Sequence, residues 1–550
     1  MTGNTTMPGA DEKTRRSCGS QASGSAGQVL GSGVQRAAGV SPIRPDSLTG
    51  ILFAVEGIRN TIVLLNGPMG CKFYHSTTSK FLMDRPPLYL PVSDGGKRVE
   101  VNYNYMNDWF FRQDRVPCTY LDHYDYVYGT AEKVEEALRY IAEHVDFDLL
   151  TVVNSPGASL IGDNLKELAG KVLPDSRTVH IESPGFSESF AAGYEAAALE
   201  VLKQLAPSMR ASVRRESGKP PEESCGKIGR SPEESCGESR RSPEEACREI
   251  GRSPEESCAH FRRPRVNLLG LSIWHRYAQG DREELTRLLE MCGIEVNCCL
   301  FSGCSLDEIL TMPQADLNIV IHSDMALQAA DYLKEMYGTP CYVCDGLPIG
   351  FDAAEKMIAE VCSLLQGNID ELSAEEQCGA YCRPDPVPAL AESERSRGIA
   401  WYKLNQIYQA SGLPKGVSFA VEGTLPAVYS YTRFLGEYLG MIPECLAVED
   451  IETEEKRHGH STLMEKLAAL LEKLQASHPE RKSIMETRAE LVFSNANTIS
   501  ALMIRHDAFC GIEISLPGMG YTDVIPKTHL GIRGTLFLVE QVLNGLMSKL

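Results

Sequence analysis

The strongest constraint on this chain is a recurring alternation of short apolar runs with longer stretches of helical periodicity. Runs such as Thr61–Leu65, Leu149–Asn154 and Leu317–His322 are five or six residues long and almost continuously apolar. That length suits a strand buried on both faces, and the stretches between them are long enough for helical crossovers. Repeated along a chain, this pattern gives a mostly parallel sheet with helices on both sides. The fold class expected is therefore α/β, as three doubly wound, Rossmann-like parallel-sheet domains.

The pattern divides the chain. Residues 1–45 read as a polar, disordered tail without the apolar segment of a secretory signal. Domain 1, residues 46–205, opens with a helix over Leu48–Ile58, with Asp46 or Ser47 as N-cap. Its strands are expected at Thr61–Leu65, Tyr124–Tyr128, Leu149–Asn154 and Thr178–Ile181, with helices at Ala131–His144 and Ser187–Gln204. Residues 206–265 break the pattern: Pro-Glu-Glu-Ser/Ala-Cys recurs at Pro221, Pro232, Pro243 and Pro254. Cys225, Cys236, Cys247 and Cys258 invite a metal or redox reading. A tandem duplication within a charged, disordered linker is preferred, because the unit is too short to stack as a repeat and its Ser-Pro steps interrupt helices.

Domain 2 (266–370) has strands at Val266–Leu271, Val296–Leu300, Leu317–His322 and Cys341–Cys344, and a loop-rich bridge (371–415) follows. Domain 3 (416–550) has strands at Val417–Val421, Leu446–Val448, Leu491–Ser494 and Gly511–Ile514, and ends in a helix over Gly534–Leu546.

A chain of 550 residues exceeds what one core holds. Its net charge of −20 opposes broad nucleic-acid binding. No apolar run reaches membrane-spanning length, so a cytoplasmic protein is expected. The 18 cysteines are expected to be reduced, since disulfide frameworks belong to small secreted chains. Cys298, Cys299, Cys341 and Cys344 fall within apolar strands and are read as buried rather than zinc-binding. Cys378 and Cys382 are spaced as a metal or redox pair in a polar loop.

One turn carries distinct chemistry. After Thr61–Leu65 the chain reads Gly67-Pro68-Met69-Gly70-Cys71. Glycines allow close backbone approach, and a thiolate delivered there is a soft-metal ligand. The plain alternative is a tight turn whose cysteine only packs. No P-loop and no Gly-x-Gly-x-x-Gly fingerprint occur, so neither ATP nor NAD is expected on this chain.

This turn, with the helix before it, resembles the nitrogenase component 1-type oxidoreductase family, closer to its β or scaffold type. Ser155-Pro156-Gly157 through Gly162-Asp163-Asn164, Phe301-Ser302-Gly303, Leu347-Pro348-Ile349-Gly350 and His529-Leu530-Gly531-Ile532-Arg533-Gly534 are similar to further family motifs, in order. The resemblance implies that Cys71, on a backbone shaped by Gly67 and Gly70, ligates an iron–sulfur cluster. Of the three cysteines a full double cluster takes from one subunit, only Cys71 is retained. The others fall near Asp46 and at Ser155 or Pro156. A smaller cluster of the 4Fe–4S type, shared with a partner subunit, is what this set implies, with Asp46 and Cys118 as further candidate metal ligands and His75 nearby.

The family's cofactor-ligand positions fall on or beside His322 and at Leu530, next to His529. His322, His529 and Arg533 are therefore the expected catalytic, cleft-lining groups. The implied partners are a related component 1-type subunit and an ATP-hydrolysing iron–sulfur reductase like the nitrogenase iron protein. The implied activity is substrate reduction by low-potential electrons passed through the cluster. A metal-cofactor assembly scaffold of the same fold is the alternative.

Overall fold

The computed structural model describes residues 45–72, 116–217 (except 175–176, 184 and 186–187), 262–370, 382–449, 460–505, 509–515 and 523–547 (except 524). The N-terminal tail, the repeat array, His75 and Cys378 lie outside the described residues.

The described strands form three sheets, and every strand pairing within them is parallel. The first holds β1 (Thr61–Asn66), β2 (Leu149–Asn154) and β3 (Thr178–Glu182), in that order. The second contains β4 (Arg265–Leu269), β5 (Glu295–Cys299), β6 (Leu317–Val320) and β7 (Cys341–Val343), ordered β5-β4-β6-β7. The third contains β8 (Ser418–Gly423), β9 (Ile442–Val448), β10 (Leu491–Asn495) and β11 (Cys510–Ser515), ordered β11-β10-β8-β9. In the second and third sheets the order reverses direction beside the first strand, which opens a crevice at the carboxyl ends of the strands flanking the reversal. The α/β expectation and nearly all the expected strands hold.

Tyr124–Tyr128 is a correction. It is a short helix, Asp125–Tyr128, not a strand. The Asp122 carboxylate accepts from the backbone N–H of Tyr124 (2.8 Å) and of Asp125 (3.3 Å). This local bonding turns the chain into a helix despite the strand-forming Tyr and Val residues. The bridge is the second correction: most of it is one helix, Val387–Ser411. Asp385 accepts from Val387 N at its start, and Gly412 in the left-handed region ends it. Its buried face is small and partly polar (Ala389, Ser393, Ser396, Ala400), which hid its periodicity. The helix from Phe190 also runs to Ser217, past the break expected at Ala206.

Layers follow from which faces are apolar. Helices α1 (Ser47–Glu56) and α2 (Phe190–Ser217) share one core with one face of the first sheet and with helices of the second. On α2 the buried positions Tyr194, Ala197, Ala198, Val201, Leu202, Leu205 and Met209 form one stripe. Another core covers the opposite face of the first sheet. A third core joins the second and third sheets through the last helix, α3 (Gly531–Met547). Each fully buried Leu, Ile or Phe in these cores contributes roughly 1.5–3 kcal/mol.

The start of α3 is fixed by a buried carboxylate on a neighbouring helix (Ala278–Met291). Glu284 is 3% exposed. Its Oε1 accepts from the backbone N–H of Ile532 (3.1 Å) and Arg533 (2.9 Å), while Arg287 holds both its oxygens at 2.9 Å. A negative charge there meets both the helix dipole and the unpaired N–H groups. Gly531, at φ +72°, lets the chain turn into this contact. Glu284→Ala leaves these donors and Arg287 under-satisfied and is expected to destabilise the protein by about 3–5 kcal/mol, and Glu284→Gln by less. The midpoint of thermal unfolding checks this, and an unchanged midpoint in Glu284→Ala would refute the role.

Candidate functional site

The Gly67–Cys71 turn is braced from below by a buried polar hub. Asn66, at the end of β1, donates to Thr130 Oγ1 and Asn154 Oδ1, each at 2.9 Å. Thr119 Oγ1 donates to Asn66 Oδ1 (2.9 Å) and accepts from Gly67 N (3.1 Å). Ser155 N donates to Asn66 O (3.0 Å). Four segments are thus held together at the carboxyl end of the sheet, each buried polar group answered by another.

On this base, residues Met69–Lys72 form a single 3₁₀ turn that presents Cys71 half-buried. Cys118 pairs as a one-residue bridge beside Leu65, which brings its segment alongside the turn. Asp46 caps α1, accepting from Thr49 N at 2.9 Å and Thr49 Oγ1 at 2.7 Å. Burial pushes the Cys71 thiol above its ordinary range, and the nearby Asp46 and Cys118 push it the same way. Cys118 is likewise raised by burial, with Lys72 opposing. Asp46 and Cys118, the other two metal-ligand candidates, thus lie within electrostatic range of Cys71.

The two glycines differ. A side chain at Gly67 would meet Ser155 Cβ and Oγ at 2.8 Å, so close packing excludes one there. Gly70 is exposed, with no atom within 4 Å of where its Cβ would stand.

Ser155 and Tyr126 belong to the site and were missed as a pair. Tyr126 bonds with the Ser155 hydroxyl, lies within electrostatic range of Cys71, and packs over Gly157. The misread Tyr124–Tyr128 segment concealed this. Large apolar side chains are exposed on the turn and on nearby segments: Met69 (39%), Tyr124 (61%), Val127 (72%), Tyr128 (72%) and Leu160 (87%), with Asp122 and His123 exposed beside them.

Two thiols, a carboxylate and a hydroxyl are donors suited to iron. Among the described residues no group of three or more His, Cys, Asp or Glu side chains is placed to hold a metal ion. The donor set fits part of a cluster's ligand shell.

The other candidates lie elsewhere. His322 is buried at the carboxyl end of β6, at the N-cap position of the helix Ser323–Tyr337 but without a side-chain capping bond. Its ring stacks on His275 at 4.1 Å, in the loop after β4, so the pair marks the crevice between β4 and β6. Burial drives both imidazoles toward the neutral form, His275 to about 4. His529 is buried with both ring nitrogens engaged: Nδ1 with the Tyr431 hydroxyl and Nε2 with Gln541 Oε1, each at 2.6 Å. Burial lowers it to about 4 as well. Arg533 is largely exposed, its Nε 3.9 Å from Glu392. The structure thus separates these three: His322 at a crevice, His529 in a closed network, Arg533 at the surface. Cys298, Cys299 and Cys344 are buried as expected, and Cys341 and Cys382 are partly so.

Comparison with known proteins agrees with this architecture. A stretch of 296 residues is 27% identical to a light-independent protochlorophyllide reductase subunit of Synechococcus sp. (strain CC9902), covering 54% of this chain and 44% of that protein. Shorter stretches are 38% identical to the corresponding reductase subunits of Synechococcus sp. (strain WH7803), covering 19% of each chain, and of Methylocella silvestris, covering 18% of this chain and 20% of that one. The chain thus matches less than half the length of these relatives. The solved structure "Nitrogenase Cp1 at pH 6.5" has the same fold, with a TM-score of 0.63 over 94% of both chains at 14% identity. The family model for nitrogenase component 1 type oxidoreductases matches residues 47–547, and the chain belongs to that family.

Proposed function

We propose that this chain is one subunit of a nitrogenase component 1-like oxidoreductase, in which Cys71 holds an iron–sulfur cluster at a face completed by a second, related subunit. The observation that carries the reading is the braced turn that sets Cys71 within electrostatic range of Asp46 and Cys118, near exposed apolar side chains. The fit is chemical. A half-buried thiol raised in pKa is protonated when free, and binding iron replaces that proton. Cys118 and Asp46 are the supporting donors. Gly67 holds the turn against Ser155, and Gly70 stands in open space.

A bound cluster supplies one-electron transfer at low potential. No P-loop motif occurs in the chain, so the reading places ATP hydrolysis on a separate iron–sulfur reductase that delivers the electrons. The exposed patch of Met69, Tyr124, Val127, Tyr128 and Leu160 is the docking face for the related subunit, which supplies the remaining cluster ligands. The stacked His275 and His322, at the crevice between β4 and β6, are the groups on the substrate side. His529 and Arg533 instead serve the seating of α3. The relatives named as subunits of protochlorophyllide reductase are, by that name, parts of a multi-subunit reductase, which supports reading this chain as one part of such an enzyme.

Two measurements test this. Anaerobically purified protein is expected to contain iron and acid-labile sulfide, and Cys71→Ser is expected to lose most of both. Equal iron in wild type and variant would remove Cys71 as a ligand. Tyr128→Asp, at an exposed position, is expected to weaken association with a co-expressed related subunit about tenfold or more while leaving thermal unfolding of the isolated chain unchanged. Undiminished association would place the partner elsewhere.

A further inference from the structure

A second site lies where the second and third sheets meet, on elements that carry none of the Cys71 group. A shallow cleft open to solvent is lined by Leu347, Pro348, Met357, Asp345, Lys356 and Arg433. It sits just beyond the carboxyl end of β7, where open α/β sheets take their ligands. The loop after β7 is pinned to the neighbouring helix Leu425–Arg433 by a hydrogen bond from Leu347 N to Ser430 Oγ (2.7 Å). The walls are therefore held from both sheets.

Among the described residues, three cations here meet two carboxylates. The Asp345 carboxylate is shared by two lysines, Lys356 at 3.0 Å and Lys466 at 2.7 Å. Glu360, also near Lys356, accepts from the Tyr342 hydroxyl (2.8 Å). Arg433 is the third cation, within electrostatic range of Lys356. Its guanidinium lies over the Tyr429 ring at 5.1 Å, which fixes its plane. Its Nη2 is buried and has no hydrogen-bond partner among the described residues. Arg433 also precedes a π-helical turn, Phe434–Tyr438, a local irregularity frequent at functional sites.

A guanidinium with an unpartnered Nη2, at the edge of a cleft beside Lys356, is completed by a planar or tetrahedral oxyanion, which accepts from two donors of the fork at once. The concentration of positive charge is set against a chain whose net charge is −20. We infer that this cleft binds a small oxyanion, a carboxylate or a phosphate, through Arg433 and Lys356, with the apolar wall of Leu347 and Met357 contacting whatever the anion is attached to. The ligand is recognised by its charge and fork geometry, independently of any cluster at Cys71.

The test is isothermal titration of the full chain with inorganic phosphate and, separately, with acetate, at ionic strength fixed with sodium chloride. Saturable binding of at least one is expected, weakened tenfold or more in both Arg433→Gln and Lys356→Gln, with iron content unchanged. Tighter binding of phosphate identifies a phosphate ligand, and tighter binding of acetate a carboxylate. Lys356 is largely exposed, so its variant reports even where Arg433→Gln fails to fold. No saturable binding of either anion, or wild-type affinity in Lys356→Gln, overturns the site. Loss of iron in Cys71→Ser leaves it untouched, so this proposal and the cluster reading fail separately.

Discussion

One short loop contacts the surroundings of all three sheets at once. Residues 272–277 follow β4, a central strand of the second sheet, and send side chains in three directions. Trp274 packs on Phe53 (4.9 Å) and Phe190 (5.1 Å) of the helices against the first sheet. His275 stacks on His322 of its own sheet. Tyr277 packs on His529 (4.7 Å) and Phe537 (5.9 Å) at the last helix, while Arg276 pairs with Asp523 (2.5 Å) and Glu513 (3.5 Å). Aromatic pairs of this kind contribute about 0.5–1.5 kcal/mol each beyond their buried area. Because they radiate from one loop, a shift of any sheet disturbs contacts to the other two.

The same logic of position explains why the candidate site lies where it does. In parallel sheets the strands end together, and the loops leaving those ends converge. In the first sheet that convergence is bonded through Asn66, which ties the turn carrying Cys71 to the segments carrying Thr119, Thr130 and Asn154. α1 adds Asp46 from the side, because the start of α1 is bonded to the approach to α2 through Ser47 N and Glu188 O (3.1 Å). Cys71 and Asp46 are therefore positioned by backbone and core rather than by their own contacts.

Much of this was legible in the sequence because it depends on local patterns. Apolar runs gave the strands, and Gly67 and Gly70 marked the turn. Asp46 was legible as an N-cap, yet its nearness to Cys71 required the pairing of α1 with α2. Tyr124–Tyr128 misled because Tyr and Val favour strands, while the turn-forming carboxylate of Asp122 lies outside the run. Ser155 was legible only as a missing cysteine, and its contact with Tyr126 depends on chain brought together across the sheet. Glu284, within the charged stretch 282–290, has the look of a solvated helix face. Only the tertiary arrangement shows it buried under α3. His529 is the converse: its place beside a family ligand position marked it as a cleft-lining group, and the structure buries it with two filled hydrogen bonds.

On the proposed reading, the incomplete donor set and the exposed aromatic surface have a common physical cause. A cluster that normally takes four protein ligands is not satisfied by the donors one such chain offers. An apolar patch left in water is likewise unsatisfied. A second subunit that covers the patch brings its own donors to the same place, so docking and cluster binding complete one another. By linkage, each then strengthens the other to the same degree. Cluster affinity would rise with subunit concentration, and subunit affinity with cluster loading. A chain that carried a full ligand set of its own would show neither dependence.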